Sequence, residues 1–217
     1  MISFILIGGI CMSLSKCITE DAILDILYGE EPLPREVSKE AIDNSCCLQK
    51  AALHAEYQTE INTTYDGSYR AIGYPGGDVG YRIGVCTDVV IRAYRKLGID
   101  LQKDVHEDMK SNFNAYPNIW GLTHPDKNID HRRVPNLMVF FEQHGTVKAI
   151  SESAEDYLPG DIVCWNLGGG ITHIGIIVNK KSNNRNRYLI VHNIGGGQVL
   201  ADCLFDFEII GHYRYKK

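Results

Sequence analysis

A cysteine and two histidines occupy positions in this sequence where they could carry out acyl transfer. Cys86 directly precedes an amphipathic run, and this run predicts a helix over residues 87–97 that ends at Gly98. Backbone N–H groups at a helix N-terminus have no partners inside the helix, and they favour the reactive thiolate over the thiol. The same groups can donate to the oxyanion that forms when a thiolate attacks an acyl carbon. A free cysteine can also pack as a small apolar side chain, so a base elsewhere in the chain decides between these interpretations.

Two strand-like segments that follow one another supply the candidates for that base. In the simplest hairpin between them, Val178 pairs with Arg187, and His173 then lies directly opposite His192 on the same face. We therefore expect His173 to act as the general base and His192 to orient its imidazole. Asn193 would point to the other face in this register, although a bulge or a slip by one residue would exchange the roles of His192 and Asn193.

Five further side chains are candidates for substrate binding. Arg132 and Arg133 could bind a substrate carboxylate through the forked guanidinium group, and a surface ion-pair cluster is the alternative. Tyr74, in the loop before the helix, could donate a hydrogen bond to the oxyanion or could simply pack. Asp88, in the first turn of the helix, and Asn193 complete the predicted substrate-binding set.

The composition favours neither a metal nor a cofactor. The remaining histidines lack a paired ligand spacing of the H-E-x-x-H kind, and the glycine runs 168–170 and 195–197 lack the strand–glycine–helix context of a phosphate loop. Seven cysteines are an odd number, so at least one thiol is expected to be unpaired. Cys164 and Cys203 lie in apolar, strand-like runs, where a buried thiol is the simpler interpretation.

Helical patterns precede strand patterns along the chain. Helices are predicted over residues 19–28, 45–58 and 87–97, an ordered loop over 62–84, and strands over 162–165, 173–178, 188–193 and 209–215. This order predicts an α+β fold in which the helix that carries Cys86 packs on an antiparallel β-sheet.

Length and charge limit the classes of function. A chain of 217 residues can bury one substantial core, and its net charge of −5, spread along the sequence, provides no basic face for nucleic acid. The apolar run over residues 1–12 is typical of an export signal, with a buried N-terminal helix as the alternative. We therefore predict a signal peptide over 1–18, an N-terminal helical segment over 19–61 and a hydrolase domain over 62–217, with no membrane span after signal removal.

Several motifs resemble the NlpC-type cell-wall peptidases, a papain-like family. They are Cys86-Thr87 opening a helix, Leu158-Pro159-Gly160-Asp161 before a strand, His173-Ile174-Gly175-Ile176, and a polar third member at His192, and the resemblance covers roughly Tyr65 to the C-terminus. Val85 and Asp88 depart from the family pattern, in which an aspartate commonly precedes the cysteine and a small residue is common at the position of Asp88.

Four other segments are similar to a bacterial branch of that superfamily, the domain of unknown function 1287. They are Thr64-Tyr65-Asp66, Tyr74-Pro75-Gly76-Gly77-Asp78, the segment from Asp130 to Leu137, and Gly211-His212-Tyr213-Arg214-Tyr215. The similarity to this branch is specific in sequence but implies no particular activity. The resemblance to the wider family does imply an activity.

The wider resemblance implies a cysteine peptidase or amidase that cleaves amide bonds in peptidoglycan stem peptides through an acyl-enzyme. Such a protein would be secreted or periplasmic, with peptidoglycan or a peptide-like molecule as its partner. An acyltransferase or thioesterase on the same fold is one alternative, and a catalytically inactive wall-binding module is another. An antibacterial toxin with a dedicated inhibitor or immunity protein is a third.

Overall fold

The computed structural model describes residues 47–183 and 186–216, and in these ranges the chain forms four α-helices and eight β-strands. The helices are α1 (Cys47–Gln58), α2 (Cys86–Arg95), α3 (Leu101–Asn112) and α4 (Val134–His144). The strands are β1 (Thr64–Tyr65), β2 (Ile83–Gly84), β3 (Thr146–Val147), β4 (Ile162–Asn166), β5 (Thr172–Lys181), β6 (Tyr188–Asn193), β7 (Gln198–Ala201) and β8 (Glu208–Arg214). The predicted α+β class is confirmed.

Six of the strands form one antiparallel sheet in the order β3-β8-β4-β5-β6-β7. The central strands β4 and β5 are rich in β-branched and aromatic residues, which suit a pleated surface buried on both sides. Alternation along β5 sends Ile174 and Ile176 toward the helices, whereas Ile177 packs with Trp165 and Tyr157 on the other face. The sheet therefore separates two apolar clusters, and side chains one residue apart belong to different ones.

Helix α2 is buried almost throughout and forms the centre of the helical layer. It packs against α1 and β5, and the small residues Ala51, Ala52 and Ala55 of α1 face this shared core. The sequence predicted both helices, although α2 begins one residue earlier than expected, at Cys86. Helix α1 lies in the N-terminal segment that was predicted to end at residue 61. It packs in the same core as the rest of the fold.

The turn before β4 connects α1 to the sheet. Gly160 has a φ of +92°, and a Cβ atom there would overlap the backbone of Leu48 in α1. The next residue, Asp161, is buried and accepts hydrogen bonds from Arg214 Nε at 2.6 Å and His212 Nε2 at 3.0 Å. The Leu158-Pro159-Gly160-Asp161 motif therefore acts here through packing and charge pairing between elements.

Residues 66–82 form the ordered loop that the sequence predicted, and its two ends pair. Strands β1 and β2 form a short parallel ladder, with Thr64 opposite Ile83 and Tyr65 opposite Gly84. Inside the loop, Asp78 accepts hydrogen bonds from Arg92 and Arg95 of α2 at 2.7 and 2.5 Å. The loop is thereby fixed to the helix that carries Cys86.

Some predictions concern other parts of the chain. The export signal and the helix over residues 19–28 lie outside the described residues. In the described part of the chain, no helix combines the length and apolar character needed to cross a membrane. The four described cysteines, Cys47, Cys86, Cys164 and Cys203, are free thiols, and the last three are buried.

Candidate functional site

Cys86 is the first residue of α2 and lines a cleft of about 340 Å³. Tyr65 lies on one wall of this cleft, and residues 132–135, just before and at the start of α4, form another. Gly170 and Thr172, the first residue of β5, also border the cleft. The Cys86 side chain is 6% exposed. The thiol is thus nearly buried at the base of an open depression, at the positive end of a helix dipole.

Burial controls the protonation of this thiol. It raises the pKa of Cys86 to about 12, and the negative charge of Asp88 acts in the same direction. The nearby backbone N–H groups of Ile174, Thr87 and Cys86 itself lower the pKa, with a smaller effect than burial. The resting site therefore holds a neutral thiol close to backbone N–H groups.

The two predicted histidines lie together. A hydrogen bond of 3.0 Å joins Nε2 of His173 to Nδ1 of His192, and each residue is 4% exposed. Their rings meet edge to face, and the ring of Trp165, directly across the ladder on β4, lies 5.8 Å from that of His173. The hydrogen bond uses one nitrogen of His173, so Nδ1 remains to exchange a proton with a substrate or a thiol.

The predicted register of this hairpin is wrong by two residues. The structure pairs Ile176 with Val191 and Ile177 with Ile190, so His173 and His192 are not directly opposite each other. A shift of two residues preserves the alternation of faces, whereas a shift of one would exchange them. The two imidazoles consequently remain on one face and meet diagonally.

Both imidazoles are neutral at ordinary pH. Burial, followed by the effect of His192, lowers the pKa of His173 to about 3, and burial also lowers the pKa of His192. A neutral imidazole can accept a proton, which is the state that a general base requires.

Cys86 and His173 approach β5 from different sides. The sulfur of Cys86 faces the backbone N–H of Ile174, whose side chain points toward the helices, whereas the side chain of His173 shares the other face with Trp165. Over residues 47–183 and 186–216, no hydrogen bond joins the sulfur to His173. The structure therefore brings the thiol to the strand that carries His173, without direct contact between the two side chains.

Asp88 is buried and serves the framework of the site. Its Oδ2 accepts a hydrogen bond from the backbone N–H of Val85 at 2.7 Å, and both oxygens pair with Arg132 at 3.0 and 2.9 Å. The Arg132 guanidinium also donates to the carbonyls of Asp66 and Ser68. Asp88, predicted to bind substrate, instead forms a bidentate ion pair that ties the start of α2 to the chain after β1.

The neighbouring arginine has a different environment. Arg133 lies over the ring of Trp120, with its guanidinium carbon 4.0 Å from the ring centroid. Its nearest acid is Asp130, at 3.5 Å, and burial raises the pKa of that carboxyl to about 6 despite the positive charge of Arg133. Of the two predicted arginines, Arg133 is therefore the one with donors left for a ligand.

Two other predicted binding residues lie away from the cleft wall. Tyr74 donates a hydrogen bond to Glu107 at 2.6 Å, and its ring contacts His106, so it does not take the position expected for an oxyanion donor. Asn193 is fully buried, donates to the carbonyl of Gly84 at 3.2 Å and accepts from the N–H of Gly195. Asn193 thus supports the strand that leads to Cys86.

Tyr65, Ile119 and Trp120 are among the residues that line the cleft but were not predicted from the sequence. Tyr65 is 45% exposed, and the nearby Cys86 and Asp88 contribute, after burial, to raising its pKa. Ile119 and Trp120 come from a segment without a regular pattern. Tyr65 was quoted only as part of a family motif, because no spacing rule relates it to a cysteine 21 residues later.

The described residues contain no cluster of three or more His, Cys, Asp or Glu arranged to hold a metal ion.

Comparison with known proteins identifies the family. The model described as Domain of unknown function (DUF1287) matches residues 52–215. The chain is similar to a protein of Escherichia coli (strain K12) named "Uncharacterized protein YijF", with 50% identity over 161 residues, which cover 74% of this chain and 78% of that protein. No solved structure matches the chain. The chain belongs to the DUF1287 family, and this part of the predicted resemblance is confirmed.

Proposed function

We propose that this member of the DUF1287 family is a papain-like, NlpC-type cysteine hydrolase that cleaves amide bonds in peptidoglycan stem peptides. The observation that supports it best is the placement of Cys86 at the start of α2, in a cleft and beside strand β5, whose His173 is hydrogen-bonded to His192 on β6. In this proposal the protein acts outside the cytoplasm, in the periplasm or after secretion.

The proposed reaction divides the work between three groups. In the tautomer that this reaction uses, the Nε2–H group of His173 donates a hydrogen bond to Nδ1 of His192, and Nδ1 of His173 accepts the proton of the Cys86 thiol. The sulfur then attacks the amide carbon, the N–H groups at the start of α2 hold the oxyanion, and His173 returns the proton to the leaving amine. Water hydrolyses the resulting thioester, with His173 again taking the proton.

The neutral resting state has a consequence for this mechanism. Because burial favours the uncharged forms of both Cys86 and His173, the thiol loses its proton only as the sulfur attacks. Because the two side chains lie on different sides of β5, the reaction also requires the start of this strand to rearrange when substrate binds, so that His173 and the sulfur come within hydrogen-bonding distance. His192 is a positioning residue here, since it fixes the tautomer of the base.

Digestion of purified peptidoglycan, followed by mass spectrometry of the released fragments, tests the proposal. Wild-type protein should release fragments cut at an amide bond, whereas Cys86→Ala and His173→Ala should release none above background. Cys203→Ala is the matched control, because Cys203 is also a buried thiol whose pKa is raised to about 12 but lies in the other apolar cluster. Equal release by Cys86→Ala and wild type would contradict the proposal.

A catalytically inactive wall-binding module is the second candidate, favoured by the raised pKa of Cys86 and by its lack of a hydrogen bond to His173. Alkylation by iodoacetamide at neutral pH separates the two. If His173 assists the thiol, Cys86 should react faster than Cys203, since burial raises the pKa of both to about 12. Equal, slow labelling together with binding to peptidoglycan would favour the inactive module.

The proposed location rests on the apolar N-terminal run, residues 1–12. Intact-mass measurement of protein from the native envelope should give a mass that lacks this segment. Recovery of the full-length chain from the cytosolic fraction would contradict export.

A further inference from the structure

The cleft beside Cys86 has a charge opposite to that of the whole protein. Its charged lining residues are Arg132 and Arg133, and no aspartate or glutamate is among the described residues that line it. The whole chain carries a net charge of −5. Guanidinium donors in a concave site favour an anionic ligand where the buried carboxylates beside them leave those donors unoccupied.

Arg132 does not supply the donors for such a group. Its Nε and Nη2 atoms bond both oxygens of Asp88, and Nη1 and Nη2 also donate to the carbonyls of Ser68 and Asp66. The side chain is 2% exposed. Its positive charge is balanced by a buried carboxylate, and its donors are directed into the protein.

Arg133 combines a partly exposed fork with a fixed orientation. Its side chain is 17% exposed, and stacking on Trp120 holds the guanidinium plane against the ring. Among the described residues its one hydrogen bond is to Asp130, at the outer limit of 3.5 Å. Four of the five N–H groups of a guanidinium are thus left for water or a ligand.

We propose that Arg133 binds a carboxylate of the substrate, and that the substrates of this cleft are amides with a free carboxylate close to the scissile bond. The term substrate rests on the proposed function, but binding of a carboxylate by Arg133 does not depend on catalysis. A single planar fork matches a carboxylate in a bidentate manner. A phosphate dianion is less well matched, because only one of the two guanidinium groups, that of Arg133, keeps donors for an anion.

Binding to Cys86→Ala protein tests this inference without turnover. The probes are N-acetylated alanine, dialanine and trialanine, each as the free acid and as the C-terminal amide, with inorganic phosphate as a further anion. Tryptophan fluorescence is the signal, since the chain has two tryptophans and one of them, Trp120, lines the cleft and is 37% exposed. At least one free acid should bind about tenfold or more tightly than its amide, as expected for a charge-assisted hydrogen bond.

Substitutions then assign the preference to one residue. In the Cys86→Ala background, Arg133→Gln should remove the preference for the acid, and Arg133→Lys should weaken it while keeping the charge. Lys127→Gln is the matched control, because it removes one positive charge from an exposed side chain that does not line the cleft. Circular dichroism verifies that each variant is folded. If Arg133→Gln does not fold, the comparison is made with Arg133→Lys alone.

The outcomes separate this inference from the proposed function. Equal binding of acids and amides at all three lengths, or a preference that survives Arg133→Gln and Arg133→Lys, would overturn it. Tighter binding of phosphate than of any carboxylate would overturn the choice of anion. A lost acid preference in these variants, combined with failure of wild-type protein to cleave peptidoglycan, would support the carboxylate site and reject only the hydrolase.

Discussion

The hydrogen bond between His173 and His192 separates the roles of two adjacent residues on β6. His192 faces the base, whereas Asn193 faces the helices and bonds the carbonyl of Gly84. His192→Gln should therefore reduce kcat by roughly 10- to 100-fold with little change in KM, as expected when the partner that orients a functional imidazole is lost. Steady-state kinetics on a peptidoglycan fragment provide the measurement.

Asn193→Ala is the informative comparison for that variant. It should lower the free energy of unfolding by about 1 kcal/mol, because it removes buried hydrogen bonds, and should affect kcat less than His192→Gln does. The reverse order of effects on kcat would show that asparagine, rather than histidine, positions the base.

The lowered pKa of His173 also predicts how stability depends on pH. The folded protein holds this group with a pKa of about 3, below the ordinary value of 6.5, so the unfolded chain binds more protons between these values. The stabilisation is complete above pH 6.5 and is lost as the pH falls toward 3. From pH 7 to pH 5 the contribution of His173 should decrease by about 2 kcal/mol.

Urea unfolding at both pH values, for wild type and His173→Gln, measures that contribution. The loss of stability between pH 7 and pH 5 should be smaller in the variant. Other groups with shifted pKa values, such as His131 and Asp130, are present in both proteins and cancel in the difference. Identical losses would mean that His173 titrates near its ordinary pKa in the folded state.

The ion pair of Asp88 and Arg132 predicts a large effect on stability. Asp88→Asn should lower the free energy of unfolding by about 3 kcal/mol or more, because it leaves a buried guanidinium without its counter-charge. Arg70→Gln is the control, since the Arg70–Asp66 pair is far more exposed and should contribute much less to stability. Comparable losses in the two variants would contradict the structural role assigned to Asp88.

At the scale of elements, the sequence predicted what local pattern determines. Helix α2 and strands β4, β5, β6 and β8 were found because their apolar periodicity is strong. Helices α3 and α4 were not predicted. In α3 the buried residues Leu101, Val105 and Met109 recur every four positions but stand among charged residues, so the stripe is narrow. The register between β5 and β6 was missed because the irregularity between Ile177 and Lys181 depends on the turn.

The contact between β5 and β6 predicts that Gly175 is required. A Cβ atom there would lie 2.7 Å from Cγ2 of Ile190 and 3.2 Å from the ring of Trp165. Gly175→Ala should cost about 1 to 3 kcal/mol of folding free energy, because β6 or the Trp165 ring must move. Displacement of β6 would also disturb the hydrogen bond between His173 and His192.

Gly196→Ala provides the matched control for that substitution. A Cβ atom at Gly196 has no neighbour within 4 Å, so this variant should be within about 0.5 kcal/mol of wild type. Thermal or urea unfolding compares the two alanine variants directly. Equal stability of Gly175→Ala and wild type would show that the strands can separate without loss.

At the scale of the whole molecule, some residues of the site follow from local sequence patterns and others meet only through long-range folding. Cys86, His173 and His192 could be predicted from sequence as candidate catalytic residues because each stands at a recognisable point of a helix or strand. The walls of the cleft could not, because Tyr65, Trp120 and Arg133 meet only after segments tens of residues apart have folded together. For the same reason, the sequence predicted one role, carboxylate binding, for both Arg132 and Arg133. Their difference arises from Asp88 on α2, 44 residues earlier in the chain.

The mass of acid-quenched protein tests the central claim most directly. Wild-type protein stopped during digestion of peptidoglycan should contain a fraction whose mass is increased by one acyl fragment, with the addition located on Cys86 by peptide mapping. The same increase should be present in Cys203→Ala and absent from Cys86→Ala. Two results together would contradict the account. Wild-type protein would release amide-cleaved fragments while Cys86 stays unmodified at every quench time, and Cys86→Ala would retain full activity.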